Sequence, residues 1–165
     1  IALAVSTNAQ FVREIFTGTY ASDMGIWSPN AGEAMRYRNS LGRKDLQMYF
    51  NISAEFAYSL DRRSISERAE STVFSSIPDA VLVSGQITGQ SAKLEEIKQV
   101  SKIIPNTPVL ANTGVNLDNV EEIFKVTDGV IIGSSLKING DTWNNVDLNR
   151  AKTFMTKVKS IRKNA

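Results

Sequence analysis

The chain has 165 residues, 42% of them hydrophobic, with 19 basic side chains against 17 acidic ones and a formal net charge of +2. That length suits one globular domain with its own core, and so balanced a charge does not mark a nucleic-acid surface. There is no cysteine and no histidine, which excludes disulfides, thiolate nucleophiles, Cys/His zinc sites and imidazole bases, so any chemistry must come from carboxylates, Lys, Tyr, Ser, Thr or backbone.

No apolar run approaches the roughly 18 residues that span a bilayer, and no charged-then-apolar signal segment opens the chain. A cytoplasmic protein that does not span a membrane is therefore expected, and nothing in the residues calls for a cofactor or metal. The first residue is Ile1, and Ala2-Leu3-Ala4-Val5 reads as the end of a helix, so a fragment of a longer protein is expected.

Phe11 to Phe16, closed by Thr17-Gly18, reads as the first strand. A long loop follows, carrying Tyr20, Asp23, Gly25 and Trp27. Asn30 then stands as an N-cap with Glu33 three residues on, opening a helix that runs to Leu41 and stops at Gly42. Leu46 to Ser53 is the second strand. Ser64-Ile65-Ser66-Glu67 is a capping box, opening a helix with Ala69, Val73, Phe74 and Ile77 directed inward.

Asp79 to Gly85 is the third strand, running into a polar turn through Gln86 and Thr88 before Ser91 caps a helix striped by Leu94, Ile97, Val100 and Ile104. Pro108 to Gly114 is the fourth, with Asn116 capping a helix striped by Leu117, Val120, Ile123 and Phe124. Gly129 to Ser135 is the fifth. A polar loop from Asn139 to Asn145, in which Trp143 reads as a packed anchor, leads to Asp147 as cap of the last helix. That helix turns Leu148, Ala151, Phe154, Met155, Val158 and Ile161 inward and shows Lys152, Lys157, Lys159, Arg162 and Lys163 to solvent.

Strands alternating with helices every 20 to 35 residues, roughly, are the βαβ pattern of a parallel sheet. No linker or repeat divides them, so residues 1–165 form one domain, and an open doubly wound sheet and a (β/α)8 barrel both fit the alternation. Five units do not close a barrel. The first and last strands would be open edges, to be covered by a further segment or by a second subunit of a homo-oligomer.

Two strand ends stand out. Pro108-Val109-Leu110-Ala111-Asn112-Thr113-Gly114 and Val130-Ile131-Ile132-Gly133-Ser134-Ser135 are β-branched, apolar runs that stop at a small polar residue beside a glycine. Such turns let bare backbone N–H groups approach an anion, and the helix beginning beyond adds its positive end. Asn112, Gly114, Gly133, Ser134 and Ser135 are therefore the candidate phosphate-binding residues, and a phosphorylated small molecule the expected partner. At the other strand ends and loops stand Asp23, Glu55, Gln86, Thr88 and Lys137, of which Asp23 or Glu55 is the candidate general base and Lys137 the candidate charge-neutralising cation.

Tyr37-Arg38 before Leu41-Gly42, Asp79 to Gly85 with Thr88-Gly89, Pro108 to Val115 with Asn119-Val120, and Asp128 to Lys137 through Gly140-Asp141-Thr142-Trp143 and Val146-Asp147 together resemble the BtpA family. The resemblance runs from Phe11 nearly to the end and is densest after Asp79. It implies a phosphate-binding TIM barrel of which this chain is the fourth to eighth βα units, lacking the first three. It also implies two functions of different kinds: an enzyme of lyase or isomerase type acting on a phosphorylated sugar or nucleotide, or a non-catalytic assembly factor of photosystem I biogenesis. Where members of the family carry a His-x-Lys-His run, this chain has Ser53-Ala54-Glu55-Phe56, so the imidazoles of that run are missing.

Overall fold

The structure is a computed structural model describing residues 1–85 and 93–163. Its elements in chain order are α1 (Ala2–Ser6), β1 (Phe11–Glu14), β2 (Tyr20–Ser22), β3 (Gly25–Trp27), α2 (Ala31–Ser40), β4 (Gln47–Asn51), β5 (Ala57–Ser59), α3 (Ile65–Ser76), β6 (Ala80–Ser84), α4 (Leu94–Ile103), β7 (Val109–Asn112), α5 (Val120–Phe124), β8 (Gly129–Ile131) and α6 (Leu148–Lys163). Two 3-10 turns, Ser134–Leu136 and Ile138–Gly140, link β8 to α6. The expected turn at Gln86 and Thr88 and the expected cap at Ser91 lie outside the described residues.

Five parallel strands form one sheet in the order β1-β4-β6-β7-β8. Each new strand is laid beside the previous one in the same direction, with no reversal of order. A doubly wound sheet needs such a reversal and a barrel does not. The sheet also curls, since Arg13 on the first strand and Ile131 on the last line one cavity. The architecture is thus an α/β half-barrel.

The strand register sorts the side chains into two faces. Arg13, Tyr49 and Ala80 stand in one row, Asn51, Leu82, Leu110 and Gly129 in the next, and Ser84, Asn112 and Ile131 in a third at the C-terminal ends, all on the concave side. On the convex side Ile52, Val81, Val83, Val109 and Ala111 bury themselves against Ala69, Ile97, Val100, Val120, Ile123, Phe154 and Val158 of the helices. Full burial of an aliphatic side chain contributes about 1.5–3 kcal/mol, so this layer is the main source of cohesion. Every residue of β6 is buried, as a strand enclosed by neighbours and helices requires.

The caps read from sequence are formed. Asn30 Oδ1 accepts from Glu33 N at 3.0 Å. Ser64 and Glu67 make both bonds of the capping box, and Asp147 Oδ1 accepts from Asn149 N and Arg150 N. Asn116 caps the turn that precedes α5, accepting from Asp118 N and Asn119 N, and its carbonyl takes the amide of Val120.

Several inward assignments do not hold, Leu94 at the start of α4 among them. Phe74 is 87% exposed and Ile77, 78% exposed, is the left-handed residue that ends α3; the inward side of that helix is built from Ala69 and Thr72 instead. Leu148 and Met155 on α6 are also exposed, leaving Phe154 and Val158 as its buried residues. Trp143, at 94% exposure, is no packed anchor. The loop after β1 also contains structure that its sequence did not announce, because β2, β3 and β5 form a second, antiparallel sheet in the order β3-β2-β5.

Candidate functional site

Beyond the third concave row, the segments that leave β4, β7 and β8 enclose a cavity of about 470 Å³. Glu55, Asn112, Gly114, Gly133, Ser134 and Ser135 all line it. Six of the eight candidate residues are therefore in one place. Asp23 and Lys137 are not among them.

Asn112 ends β7 and is 2% exposed. Its Nδ2 donates to Ser84 Oγ at 2.8 Å, while Ser84 N donates to Ser53 Oγ at 2.9 Å. Three successive strand ends are tied by this chain of polar groups, which a buried amide needs to be tolerated. The backbone then turns sharply, with Thr113 and Gly114 both at positive φ, 67° and 65°. For a β-branched threonine that conformation costs on the order of 1–3 kcal/mol. Its hydroxyl accepts from Gly85 N at 2.9 Å, which helps to hold it there. The carbonyl of Gly114 is taken by Asn119 Nδ2 at 2.9 Å, fixing the turn from beyond.

On the β8 side, the room around Gly133 is open: a Cβ there would meet nothing within 4 Å. Ser134 and Ser135 begin a 3-10 turn, whose first amides have no acceptor inside the turn. Their hydroxyls serve the frame, Ser135 Oγ donating to Val115 O at 2.8 Å and Ser134 Oγ hydrogen-bonded to Thr142 Oγ1 at 2.7 Å. What these residues offer a ligand is chiefly backbone.

Glu55 occupies the tight turn closed by Ala57 N donating to Ala54 O at 3.3 Å. Its Oε2 is buried with no hydrogen-bond partner among the described residues. An acceptor in that condition is unusual in a folded protein and marks a place where a donor from outside can bind. Two guanidinium groups share the cavity wall, Arg13 from the concave face of β1 and Arg150 from the first turn of α6. Arg150 Nε donates to Ser135 O at 2.8 Å, which holds the guanidinium against the β8 turn.

Lys137, by contrast, donates through Nζ to the carbonyl of Thr142. Asp23 sits exposed on the β2–β3 turn, its amide donating to Phe56 O at 3.1 Å next to the Glu55 turn. Both arginines escaped the sequence reading. Arg13 could have been found from its alternation with Phe11 on β1, and Arg150 from its place three residues after the Asp147 cap. Among the described residues no group of three or more His, Cys, Asp or Glu is placed to hold a metal ion. No described helix is long and apolar enough to cross a membrane.

The chain is 45% identical over 161 residues to the sgc region protein SgcQ of Escherichia coli, covering 98% of this chain and 60% of that protein. It is 29% identical over 156 residues to the photosystem I biogenesis protein BtpA of Synechocystis, covering 94% and 54%. An uncharacterised mitochondrial protein of Caenorhabditis elegans is 35% identical over 166 residues, covering 99% and 59%. The chain thus spans little more than half the length of these relatives. The family model for BtpA matches residues 1–160, and the chain belongs to the BtpA family.

Proposed function

We propose that the cavity at the ends of β7 and β8 binds a phosphorylated small molecule, a sugar or nucleotide. The observation that carries the reading is the single cavity shared by Glu55, Asn112 and the Gly114 and Gly133–Ser135 turns. Backbone amides of the two turns hold the phosphate, and Arg150 and Arg13 offset its charge. Glu55 faces the other end of the ligand, where an ionised carboxylate accepts a hydroxyl or amine hydrogen and is the available general base. Proton abstraction of the lyase or isomerase kind needs no more than such a base and a fixed anion site. The half-barrel corresponds, in this reading, to the last five of eight βα units, in keeping with the share of the relatives that it spans.

The test is thermal stabilisation by phosphorylated ligands set against their dephosphorylated forms, in the chain and in its Gly133→Val variant. A ligand at 100 times its Kd raises stability by about 2.7 kcal/mol. Stabilisation by the phosphorylated members alone, lowered by the valine, is the expected result. Equal stabilisation by both forms defeats the proposal.

A second reading, a non-catalytic assembly factor, is favoured by a specific surface. Ile26, Ala21 and Tyr58 stand side by side across the small sheet, and Ile26, Tyr58 and the adjacent Met24 are exposed. A row of this kind suits a protein contact, and one relative is named for photosystem I biogenesis. Ile26→Ser with Tyr58→Ser separates the two readings, since it leaves ligand stabilisation intact and removes any function exerted through that face.

A further inference from the structure

A second cavity, of about 430 Å³, lies apart from the first, between the segment after β1, the start of α2 and one side of α3. That side of α3 is Arg68, Ser71, Thr72, Ser75 and Ser76. Their spacing of three, four, seven and eight residues puts them on a single helical face. Hydroxyls in such a stripe are commonplace where a helix meets water. Here they face a cavity wall opposite Thr17, whose Oγ1 lies 3.3 Å from Thr72 Oγ1, and Thr72 itself is buried.

The charges on this wall are unequal. Asp61 is the one carboxylate among the described lining residues, and it is committed to Arg63, accepting from its Nε at 3.1 Å, its Nη2 at 2.7 Å and its backbone N at 3.0 Å. Burial works to raise the Asp61 carboxyl, but the Arg63 bonds hold it below the ordinary carboxylate value. Arg68 is left over. It has no ion pair within 4.0 Å among the described residues, and its Nε is buried without a hydrogen-bond partner. Beside it lies the hydroxyl of Tyr20, a nearly fully buried phenol that burial keeps in its neutral, proton-bearing form. A buried Nε–H with no acceptor is costly unless something supplies one.

We infer that this second cavity is an oxyanion site, binding the phosphate group of a free phosphate or a small phosphate ester through Arg68, with the hydroxyls of α3 and Thr17 around it. Apart from Asp61, the polar side chains of the wall are hydrogen-bond donors or groups able to become one: guanidinium groups, a neutral phenol, the Asn30 amide and a ring of small hydroxyls, set beside apolar Phe16, Pro29 and Ile52. A cation would find its only carboxylate already occupied, and an apolar ligand would strand the hydroxyls. The volume falls within the range of small-molecule pockets, which leaves room for an ester as well as for the bare anion. This inference does not rest on the site at β7 and β8, because no lining residue is shared between the two cavities.

The experiment is equilibrium dialysis of the whole chain against inorganic phosphate, counting anions bound per chain, with a sugar phosphate as a second arm. Arg68→Met is expected to bind one phosphate fewer than the unaltered chain, whatever the result for Gly133→Val. In the double variant with Gly133→Val the saturable binding that remains in Gly133→Val is expected to vanish. Tighter retention of the sugar phosphate than of inorganic phosphate at the Arg68-dependent site assigns an ester, and the reverse assigns the free anion. Should Arg68→Met lose its cooperative melting transition, Thr72→Val is read by the same criterion. A count unchanged by Arg68→Met in a folded protein, or by Thr72→Val where that variant stands in, overturns the inference.

Discussion

Asp79 and Met48 hold each other twice: Met48 N donates to Asp79 Oδ2 at 2.7 Å, and Asp79 N donates to Met48 O at 2.9 Å. Asp128 and Val109 repeat the arrangement two strand pairs further on, at 2.8 and 2.9 Å. In each case an aspartate immediately before a strand grips the start of its parallel neighbour, which satisfies an amide at the sheet's entry edge and sets the register. Removal of either carboxylate should therefore cost about 1–3 kcal/mol by leaving a half-buried amide without its acceptor. Urea unfolding of Asp79→Ala and Asp128→Ala measures this, and a loss below about 0.5 kcal/mol in both would show that water replaces the carboxylate without penalty.

A loss of similar size is expected at the strand exits. Asn112→Ala deletes the donor to Ser84 Oγ from a fully enclosed position, so the neighbouring hydroxyl loses its partner and a small void opens. We expect about 1–3 kcal/mol of destabilisation. Asn112→Asp should be worse than alanine at neutral pH, because it puts an ionised group there. The order of the two melting temperatures is the readout, and an aspartate variant as stable as the native chain would contradict the buried network.

Glu55 behaves differently. Its Oε2 lacks a partner among the described residues, so Glu55→Gln breaks no hydrogen bond at that oxygen and should change stability by less than about 1 kcal/mol. Ligand-induced stabilisation should fall in the same variant. A variant less stable by more than about 1 kcal/mol would mean that the carboxylate is part of the frame and not of a ligand site.

Acid should weaken the start of α3 in a traceable way. Hydrogen bonds from the side chain and backbone of Ser64 hold the Glu67 carboxyl below its ordinary value. A carboxyl lowered in the folded state stabilises fully above the unfolded value, about 4.3, and loses that contribution as pH falls through the folded value. Glu67→Gln retains a capping side chain without the titration. The native melting temperature should thus drop more than that of Glu67→Gln between about pH 6 and about pH 3; parallel drops would assign the acid sensitivity to other carboxylates.

The parallel strands and capped helices were legible because each combines a run of β-branched residues or an apolar stripe with explicit end signals, such as Asn30 with Glu33 or Ser64 with Glu67. Alternation alone is blind to the choice of a curled sheet over an open one, since order and curl are properties of neighbours; the resemblance to the BtpA family is what implied the curl. The small sheet escaped because three-residue strands are too short to show a period. On α3 the apolar residues Phe74 and Ile77 drew attention from the side that faces inward, which is built from Ala69 and the hydroxyl-bearing Thr72. At the cavity, glycines and serines signalled the two turns correctly. Lys137 was read from its place just beyond the β8 turn, whereas Arg13 and Arg150, distant in sequence, reach the cavity wall only through the fold.

The strand order has a consequence for how the chain comes apart. Each strand touches only those next to it in succession, so opening can begin at β1 or β8 and move inward one unit at a time, as in a stacked array. Amide protons should report this as a gradient, slowest in β6, faster in β4 and β7, and fastest at the two outer strands. The turns after β7 and β8 sit on the quickly exchanging flank, braced by Ser135 and Arg150. A ligand seated there would slow exchange along that flank and steepen the asymmetry between the two ends of the sheet.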